Sequence, residues 1–285
     1  MTVPIKKFSL GGLYTNFELL KKFIPAIQKT RIGLTGYIDS VFGSFPMVIW
    51  NGGRNILNNG IVSLSQAQSV IDYFHSHNIP IRFVFTNSLL QKKHLSDYYS
   101  NEILSMIDEN NDWIILSSSL LYDYVNHKYP NLKIIRSITT LVPKDYNNII
   151  ANIDKFDLTV LPVEFCFDGT LNKIPNTLRD KCEILVNERC QHNCPHKLLH
   201  HRVISQGYLD FNMDAERHFC SSHNVGGLNS SMILSPSQVD DIFELGYIHF
   251  KIAARQSKDA LARYCRYLLT DDVRESFLRS FITEE

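Results

Sequence analysis

The chain has 285 residues, and its 29 acidic residues balance 29 Lys and Arg, so the formal net charge is zero. This balance excludes a bulk electrostatic grip on nucleic acid or on an anionic membrane, although it allows a local basic patch. Hydrophobic residues make up 44% and charged residues 20%, as in globular proteins with a large core. No apolar run approaches the roughly 20 residues of a membrane span, and residues 1–13 lack the apolar stretch of a signal peptide. We therefore expect a soluble, cytoplasmic protein with no membrane contact.

Short apolar, β-branched runs alternate with longer helical patterns along the whole chain. The predicted strands are Ile5–Leu10, Ile32–Tyr37, Ile81–Thr86, Trp113–Leu116, Leu132–Arg136, Leu158–Pro162, Glu183–Asn187 and Ile248–Ala253. The predicted helices are Asn16–Gln28, Ser65–His77, Ser100–Glu109, Leu120–His127, Asp145–Ile153, Pro236–Leu245 and Ser257–Leu269. The Ser-Pro-Ser-Gln run before Val239 supplies good start chemistry for the helix that contains it.

Eight strands, each followed by a crossover, indicate a parallel sheet. That number in a domain of this size favours a closed barrel over an open doubly wound sheet. The phosphate fingerprint of dinucleotide folds is missing, because Gly11-Gly12 and Gly52-Gly53 are only pairs. The predicted fold is of the α/β class: a single (β/α)8 TIM-type barrel over residues 1–285, with a long cysteine- and histidine-rich insertion, residues 188–235, after strand 7.

Two crossovers are longer than usual, and long loops in compact domains tend to be functional. The first, Asp39 to Ser63, contains the run Trp50-Asn-Gly-Gly-Arg54, which is either a mobile lid or an ordinary surface loop. The second, Glu188 to Ser235, holds three of the six cysteines and six of the eleven histidines. Both follow the carboxyl end of a predicted strand, where barrel enzymes build their active sites.

The sharpest motif is the run Asn187-Glu-Arg-Cys190-Gln-His-Asn-Cys194-Pro195-His196, followed by Cys220. Six cysteines are too few for a disulfide scaffold in a chain of this length, so a cluster of them indicates a metal or catalytic site. Thiolates separated by three intervening residues reach one metal centre from a single turn. A third thiolate from a long loop suits either an iron–sulfur cluster or a mononuclear metal. Spacing alone leaves a metal site and a set of buried hydrophobic cysteines as equal alternatives.

The chain resembles the collagenase-like peptidase family called U-thirty-two and its iron–sulfur relatives. The segment Ile233–Arg255 is close to that family's helix plus "FKIEGR" strand. Phe83–Leu90 is similar to its "VTLNTL" strand end, and Cys190–His196 is similar to the "CxxxCPxR" element of a cluster-binding branch. The similarity covers about Ile32 to Arg255, with its elements in the right order.

This resemblance implies a (β/α)8 barrel with an oxygen-sensitive [4Fe–4S] cluster at its mouth. The metal ligands would then be Cys190, Cys194 and Cys220. The acidic residue and the glycine of "FKIEGR" are replaced here by Ala253 and Ala254. This departure sets the chain apart from the proteolytic and hydroxylation chemistry of the parent family.

The other three cysteines have separate interpretations. Cys182 precedes the seventh strand and is therefore expected at the opposite end of the barrel, in a structural role. Cys265 lies on the apolar stripe of the last helix and is expected in the core. Cys166 follows the sixth strand, near the mouth, and is a candidate fourth ligand. Otherwise the fourth iron is open or held by a group that is not a cysteine.

Zinc is the alternative to a cluster, with the three cysteines and one imidazole completing a tetrahedral site. The insertion supplies the histidines for it: His192, His196, His200, His201, His218 and His223. A structural zinc usually arrives as two close ligand pairs, and Cys220 has only His218 or His223 near it in sequence. His196 and His200 are four residues apart on a predicted helix, so they share a face. They either contact cluster sulfurs or the substrate, or only cap and pack the helix.

Polar residues end several predicted strands and would meet at one barrel mouth. We assign catalytic roles to Glu164, Asn187, Lys251 and Arg255, and substrate-binding roles to Asn87, Arg136 and His196. Each one alone also fits a solvated strand end. If Ile252 packs outward, Lys251 points into the barrel, where an unpaired ammonium is costly, and Glu164 is a candidate partner.

The predicted function is an iron–sulfur enzyme that performs hydroxylation or sulfur or group transfer on a small or nucleobase-like substrate, with an electron donor. One alternative is a metal-dependent peptidase or hydrolase with Glu164 or Glu188 as the base. Another is a non-catalytic iron–sulfur subunit in a hetero-complex. Self-sufficient radical chemistry is disfavoured, because no third cysteine follows Cys194 until Cys220.

Overall fold

The computed structural model describes residues 4–225, 231–254 and 257–283. The strands are β1 (Lys6–Gly11), β2 (Gly36–Gly43), β3 (Ile81–Phe85), β4 (Trp113–Leu116), β5 (Lys133–Arg136), β6 (Leu158–Val160), β7 (Cys182–Leu185), β8 (Asn187–Gln191), β9 (Ser231–Ile233) and β10 (His249–Ile252). The helices are α1 (Phe17–Lys29), α2 (Leu64–Ser76), α3 (Tyr98–Ser105), α4 (Ser119–Lys128), α5 (Tyr146–Ile150), α6 (Lys197–Asp210), α7 (Asp214–Arg217), α8 (Phe219–Ser222), α9 (Pro236–Glu244), α10 (Ser257–Leu268) and α11 (Asp271–Thr283). Short 3-10 helices cover Leu57–Asn59, Lys92–Ser96, Ile138–Thr140, Pro143–Asp145, Ile153–Lys155, Val163–Cys166, Thr170–Lys173 and Asn176–Lys181.

Eight of the strands form a closed parallel barrel in the order β1-β10-β7-β6-β5-β4-β3-β2, which confirms the predicted (β/α)8 TIM-type fold. The two remaining strands, β8 and β9, pair antiparallel outside the barrel, with Asn187 opposite Ile233. The predicted seventh strand is therefore too long, since β7 ends at Leu185 and Asn187 belongs to this second sheet. The ribbon joins the start and the end of the insertion.

The position of the second strand differs most from the prediction. Ile32–Tyr37 was expected, but β2 runs from Gly36 to Gly43, and Ile32 is exposed. Asp39 lies inside β2. It forms an ion pair with Arg82 of β3 at 2.5 Å, so the charge is accommodated. The following crossover accordingly starts after Gly43, not at Asp39.

Two helices begin with a capping box, in which a serine side chain and a glutamine side chain satisfy each other's backbone N–H groups. Ser63 and Gln66 form this motif at the start of α2. Ser235 and Gln238 form it at the start of α9, with Pro236 in the first turn, as the sequence predicts. Each such cap stabilises its helix by about 1 kcal/mol.

Strand residues alternate between two apolar environments. Outward residues such as Phe83, Phe250 and Ile252 pack against the surrounding helices in the main core. The inward apolar residues fill the barrel and include Phe42, Ile115, Leu158, Val160 and Leu185. No helix among the described residues is both long enough and apolar enough to cross a membrane.

A layer of buried charges closes the lower, amino-terminal part of the barrel. Arg82 donates to Glu183 and to Asp39, both at 2.5 Å. Ser9 donates to the same Glu183 oxygen at 2.9 Å. Buried charges are tolerated when they are paired and hydrogen-bonded in this way. The interior above this layer is apolar and leads to the mouth.

Candidate functional site at the mouth of the barrel

A cavity of about 510 Å³ opens at the carboxyl ends of the strands, within the usual size of small-molecule sites. Its lower wall is apolar and consists of the inward residues Phe42, Val84, Ile115, Val160 and Leu185. Its upper rim is polar and comes largely from the insertion, with Glu188, Cys190, Lys197, His200, His201, Glu216 and Cys220. The cavity therefore combines an apolar floor with a rim of polar and ionisable side chains.

Helix α6 forms one side of this rim and is anchored by two residues that we had assigned to the site itself. The amide of Asn87 donates to the carbonyl of Ser205 on α6 at 3.0 Å and to that of Ile49 at 2.7 Å. Glu164 forms an ion pair with Lys197, with 3.4 Å between the carboxylate Oε1 and Nζ, and both side chains are buried. Neither Asn87 nor Glu164 lines the cavity. They position α6.

Asn187 has a similar positioning role at the other side of the mouth. Its side-chain oxygen accepts from the backbone N–H of Ala253 at 2.7 Å, and its side-chain nitrogen donates to the carbonyl of Ala253 at 2.7 Å. Asn187 is buried and does not line the cavity. The amide is thus used to join the insertion to the end of β10, and the catalytic assignment of this residue is not supported by its contacts.

The first two predicted metal ligands are adjacent. The thiols of Cys190 and Cys194 are neighbours, and Cys194 contributes to raising the pKa of Cys190. A tight turn brings them together: the N–H of Cys194 donates to Gln191 at 3.2 Å, and Asn193 has a φ of 52°. Burial raises the pKa of Cys190 to about 12, and the carboxylate of Glu188 acts in the same direction. A bound metal favours the thiolate and would reverse this effect.

The third predicted ligand, Cys220, lies on α8 and lines the same cavity as Cys190. Its Sγ is 3.9 Å from Nδ1 of His200. On the other side of that ring, Nε2 is 3.6 Å from a carboxylate oxygen of Glu216. The ring of His200 also stacks on Phe219 at 4.6 Å, which fixes its plane. A thiol, an imidazole and a carboxylate thus lie in a row along the rim.

All six cysteines are free thiols. Within the residues that the structure describes, no group of three or more His, Cys, Asp or Glu side chains is gathered closely enough to hold one metal ion. The donor chemistry nevertheless fits such a group, since thiolates are the ligands of iron–sulfur clusters and of structural zinc. Cys190 and Cys194 are neighbours, and Cys190 and Cys220 border the same cavity.

The other cysteines lie away from this rim. Cys182 is fully buried at the start of β7, where its thiol donates to Leu178 at 3.2 Å. Cys265 is fully buried in α10. Both are structural, as predicted. Cys166 packs against the main core and does not line the cavity, so its contacts do not support the fourth-ligand assignment.

Lys251 lies inside the barrel, because Ile252 packs outward. Its Nζ is 3.8 Å from a carboxylate oxygen of Glu183 and 4.0 Å from the centre of the Phe42 ring. The predicted partner Glu164 is therefore wrong: Glu183 is the inward residue of the neighbouring strand, whereas Glu164 pairs with Lys197. Burial lowers the pKa of Lys251 to about 8, and Glu183 only partly offsets this.

Two further predicted residues, Arg136 and His196, are not brought to the cavity. Arg136 pairs in register with Leu116 on the outward face and stacks on Phe156, with ring centre and guanidinium 5.7 Å apart. Burial lowers the pKa of Arg136. The ring of His196 packs on that of His223 at 4.7 Å, and His196 does not line the cavity. Arg255 lies outside the described residues.

The loop after β2 is neither a lid nor a surface loop. Trp50 is fully buried, and its indole N–H donates to the carbonyl of His94 at 2.8 Å. A side chain at Gly52 would bring its Cβ within 2.6 Å of the Cα of Asn87, so this position requires glycine. The loop presents Arg54 to the cavity, with its guanidinium 5.8 Å from the centre of the Phe42 ring.

Several cavity residues were not assigned from the sequence, among them Arg54, Thr86, Lys197 and Glu216. Thr86 directly precedes Asn87 in the strand-end motif, and the choice between them depends on which one faces inward. Lys197 and Glu216 carry no local signal, because only the fold of the insertion brings them to the rim.

No family model matches the sequence, and no curated protein matches it. Among solved structures, the U32 peptidase Mk0906 is similar, with a TM-score of 0.58 and 9% sequence identity, over 90% of this chain and 96% of that chain. At this identity the likeness shows the fold alone. It supports the U32 resemblance at the level of the barrel, and it does not extend to an iron–sulfur cluster.

Proposed function

We propose that this chain is a barrel enzyme that holds an iron–sulfur cluster through Cys190, Cys194 and Cys220 and acts on a small molecule in the cavity beneath it. The observation that carries the proposal is the position of these thiols. Cys190 and Cys194 lie close enough that Cys194 contributes to the raised pKa of Cys190, and Cys190 and Cys220 border one cavity at the catalytic end of the barrel. Binding would draw Cys220 to the other two thiols.

A cluster held by three cysteines supplies an iron that serves as a Lewis acid or carries a sulfur atom. The reaction class that follows is hydroxylation, or transfer of sulfur or another group, on a small or nucleobase-like molecule. Hydroxylation with a water-derived oxygen removes two electrons from the substrate, so redox turnover requires an electron-carrier partner protein in our proposal, which accepts these electrons and, as a donor, also keeps the cluster reduced.

The chain's own residues supply the surroundings for this chemistry. The floor formed by Phe42, Ile115 and Leu185 excludes water and holds an apolar part of the substrate. Helix α6, anchored through Asn87 and Glu164, closes one side of the mouth. Lys251 presents an ammonium to the lower cavity and orients an oxygen of the substrate.

The test is anaerobic purification followed by analysis of iron, acid-labile sulfide and zinc. The proposal expects about four irons and four sulfides per chain, with broad absorption near roughly 400 nm. Stoichiometric zinc without sulfide, or a protein without metal after anaerobic reconstitution, would overturn it.

A second candidate is a zinc-dependent hydrolase, favoured by the row of Cys220, His200 and Glu216. A metal-binding imidazole is commonly oriented by a carboxylate on its other nitrogen, and Glu216 is 3.6 Å from that atom. Glu188 lines the cavity and is available as the base, whereas Glu164 is paired with Lys197. The same metal analysis separates the two candidates, because this one requires zinc and no sulfide.

A further inference from the structure

The lower cavity is apolar except for one cation. Lys251 is 8% exposed, lines the cavity and holds its Nζ 4.0 Å from the centre of the Phe42 ring. A nearly buried ammonium is costly unless its charge and its three N–H donors are satisfied. What satisfies Lys251 therefore bears on what the cavity binds.

The protein satisfies this ammonium only in part. The nearest carboxylate oxygen, on Glu183, is 3.8 Å away, which is longer than a hydrogen bond. The other oxygen of Glu183 already accepts from Arg82 at 2.5 Å and from Ser9 at 2.9 Å. In the described parts of the chain, Lys251 Nζ makes no hydrogen bond of 3.5 Å or less to a side chain. Its donors are thus available to a ligand that enters the cavity.

The charges that line the cavity are not balanced as in the whole chain. The described cations of the lining are Arg54, Arg189, Lys197 and Lys251, and the carboxylates are Glu188 and Glu216. The lining thus has two more cations than carboxylates, in a chain whose formal net charge is zero. Three of these cations have carboxylate partners behind the wall, since Arg189 pairs with Asp259, Lys197 with Glu164 and Lys251 with Glu183. Glu183 also pairs with Arg82, so the space beside Lys251 favours an anion over a cation.

We infer that the cavity binds an organic carboxylate with an apolar body of one or two rings, with the carboxylate on Lys251 and the rings against Phe42, Ile115, Val160 and Leu185. A carboxylate fits better than a phosphate, because one ammonium balances a single negative charge and a phosphate group carries up to two. This inference deepens the proposed function by naming its substrate class, and it rests on that function only for the reaction.

The test compares 2-naphthoate with 2-naphthamide, which share shape and apolar body and differ in charge. Isothermal titration calorimetry at about pH 7 measures both on the full chain. The wild type should bind naphthoate about tenfold more tightly than naphthamide, as expected for a charge-assisted contact. In Lys251→Met the two affinities should differ by less than about twofold, with the affinity for naphthamide unchanged. Lys181→Met, at an exposed lysine that pairs with Asp154, is the matched control and should retain the preference.

Equal affinities in the wild type, no binding of either compound, or a preference that survives in Lys251→Met would overturn the inference. Lys251→Gln provides a second variant in case the methionine impairs folding, and it should lose the preference in the same way. Calorimetry on Cys194→Ser separates the inference from the proposed function, because this variant removes a proposed cluster ligand that does not line the cavity. A wild type without a cluster that still prefers naphthoate contradicts the proposed function alone.

Discussion

The side-chain amide of Asn187 and the peptide of Ala253 form two reciprocal hydrogen bonds, both 2.7 Å long. The pair connects the first residue of the outer ribbon with the residue that follows β10. Because β8 carries Cys190 and β10 carries Lys251, this contact sets the position of the cysteine rim relative to the floor of the cavity.

Replacing Asn187 by Ala should lower the free energy of unfolding by about 2 kcal/mol, because the buried N–H and C=O of Ala253 lose their partners. Asn187→Asp should be at least as destabilising, since a carboxylate accepts from the N–H but repels the carbonyl. Denaturant unfolding measures both. Unchanged stability with lost turnover would instead support the catalytic role first assigned to Asn187.

The three predicted metal ligands should each be required for metal. Cys190→Ser, Cys194→Ser and Cys220→Ser should each lose most of the iron and sulfide after anaerobic reconstitution, because a serine oxygen is a poor ligand for such clusters. Cys182→Ser and Cys265→Ser are the matched controls at buried thiols and should keep wild-type iron content. Loss of iron in Cys182→Ser, together with full iron in Cys220→Ser, would contradict the ligand set.

The buried pair of Glu164 and Lys197 should show strong coupling. Glu164→Gln or Lys197→Met alone leaves the other charge buried without its partner, and each should reduce the free energy of unfolding by about 3 kcal/mol. The double variant should recover most of this loss. A double-mutant cycle by chemical denaturation measures the coupling, and additive losses would show that the pair is not formed in solution.

Lys251 should make stability depend on pH in the alkaline range. Its pKa falls from 10.5 to about 8 in the folded protein, mainly through burial, with Glu183, Arg82 and Arg54 as the neighbouring charges. Between these two values the unfolded chain binds the proton more tightly, so this destabilising contribution is full below pH 8 and vanishes as the pH rises toward 10.5. The stability of the wild type relative to Lys251→Met should therefore increase over this window. A constant difference would mean that the ammonium is solvated.

His75 should act with the opposite sign near neutral pH. Its Nε2 is 2.8 Å from the buried carboxylate of Asp112, which also accepts from the N–H of Ile81 at 2.8 Å. The hydrogen bond to Asp112 raises the pKa of His75 above 6.5. The stabilisation is thus full below that value and is lost as the pH rises through the folded pKa. His75→Gln should be less stable than the wild type by about 1 kcal/mol near pH 5.5, and the difference should shrink at alkaline pH. A difference that is independent of pH would contradict the charged pair.

The alternation of strands and helices could be predicted from local patterns alone. Trp113–Leu116 matches β4 at both ends, because a short β-branched and apolar run between polar segments has few other solutions. The Ser235 and Gln238 cap is equally local, since both partners lie within one turn. The number of such units predicted the barrel. Each parallel strand needs a crossover to the next, and eight strands connected in this way form a closed barrel.

The tertiary structure alone decided what each polar strand residue does. Lys251 and Arg136 both lie near the end of an apolar strand. Lys251 faces the cavity and Arg136 faces the helices, because side chains alternate along a strand and composition does not reveal the exact strand register. Asp39 enters a barrel strand only because Arg82, 43 residues later, neutralises it. The side chain of Asn187 is hydrogen-bonded to the backbone of Ala253, 66 residues away. Contacts over such distances depend on the closure of the barrel, which no local pattern encodes.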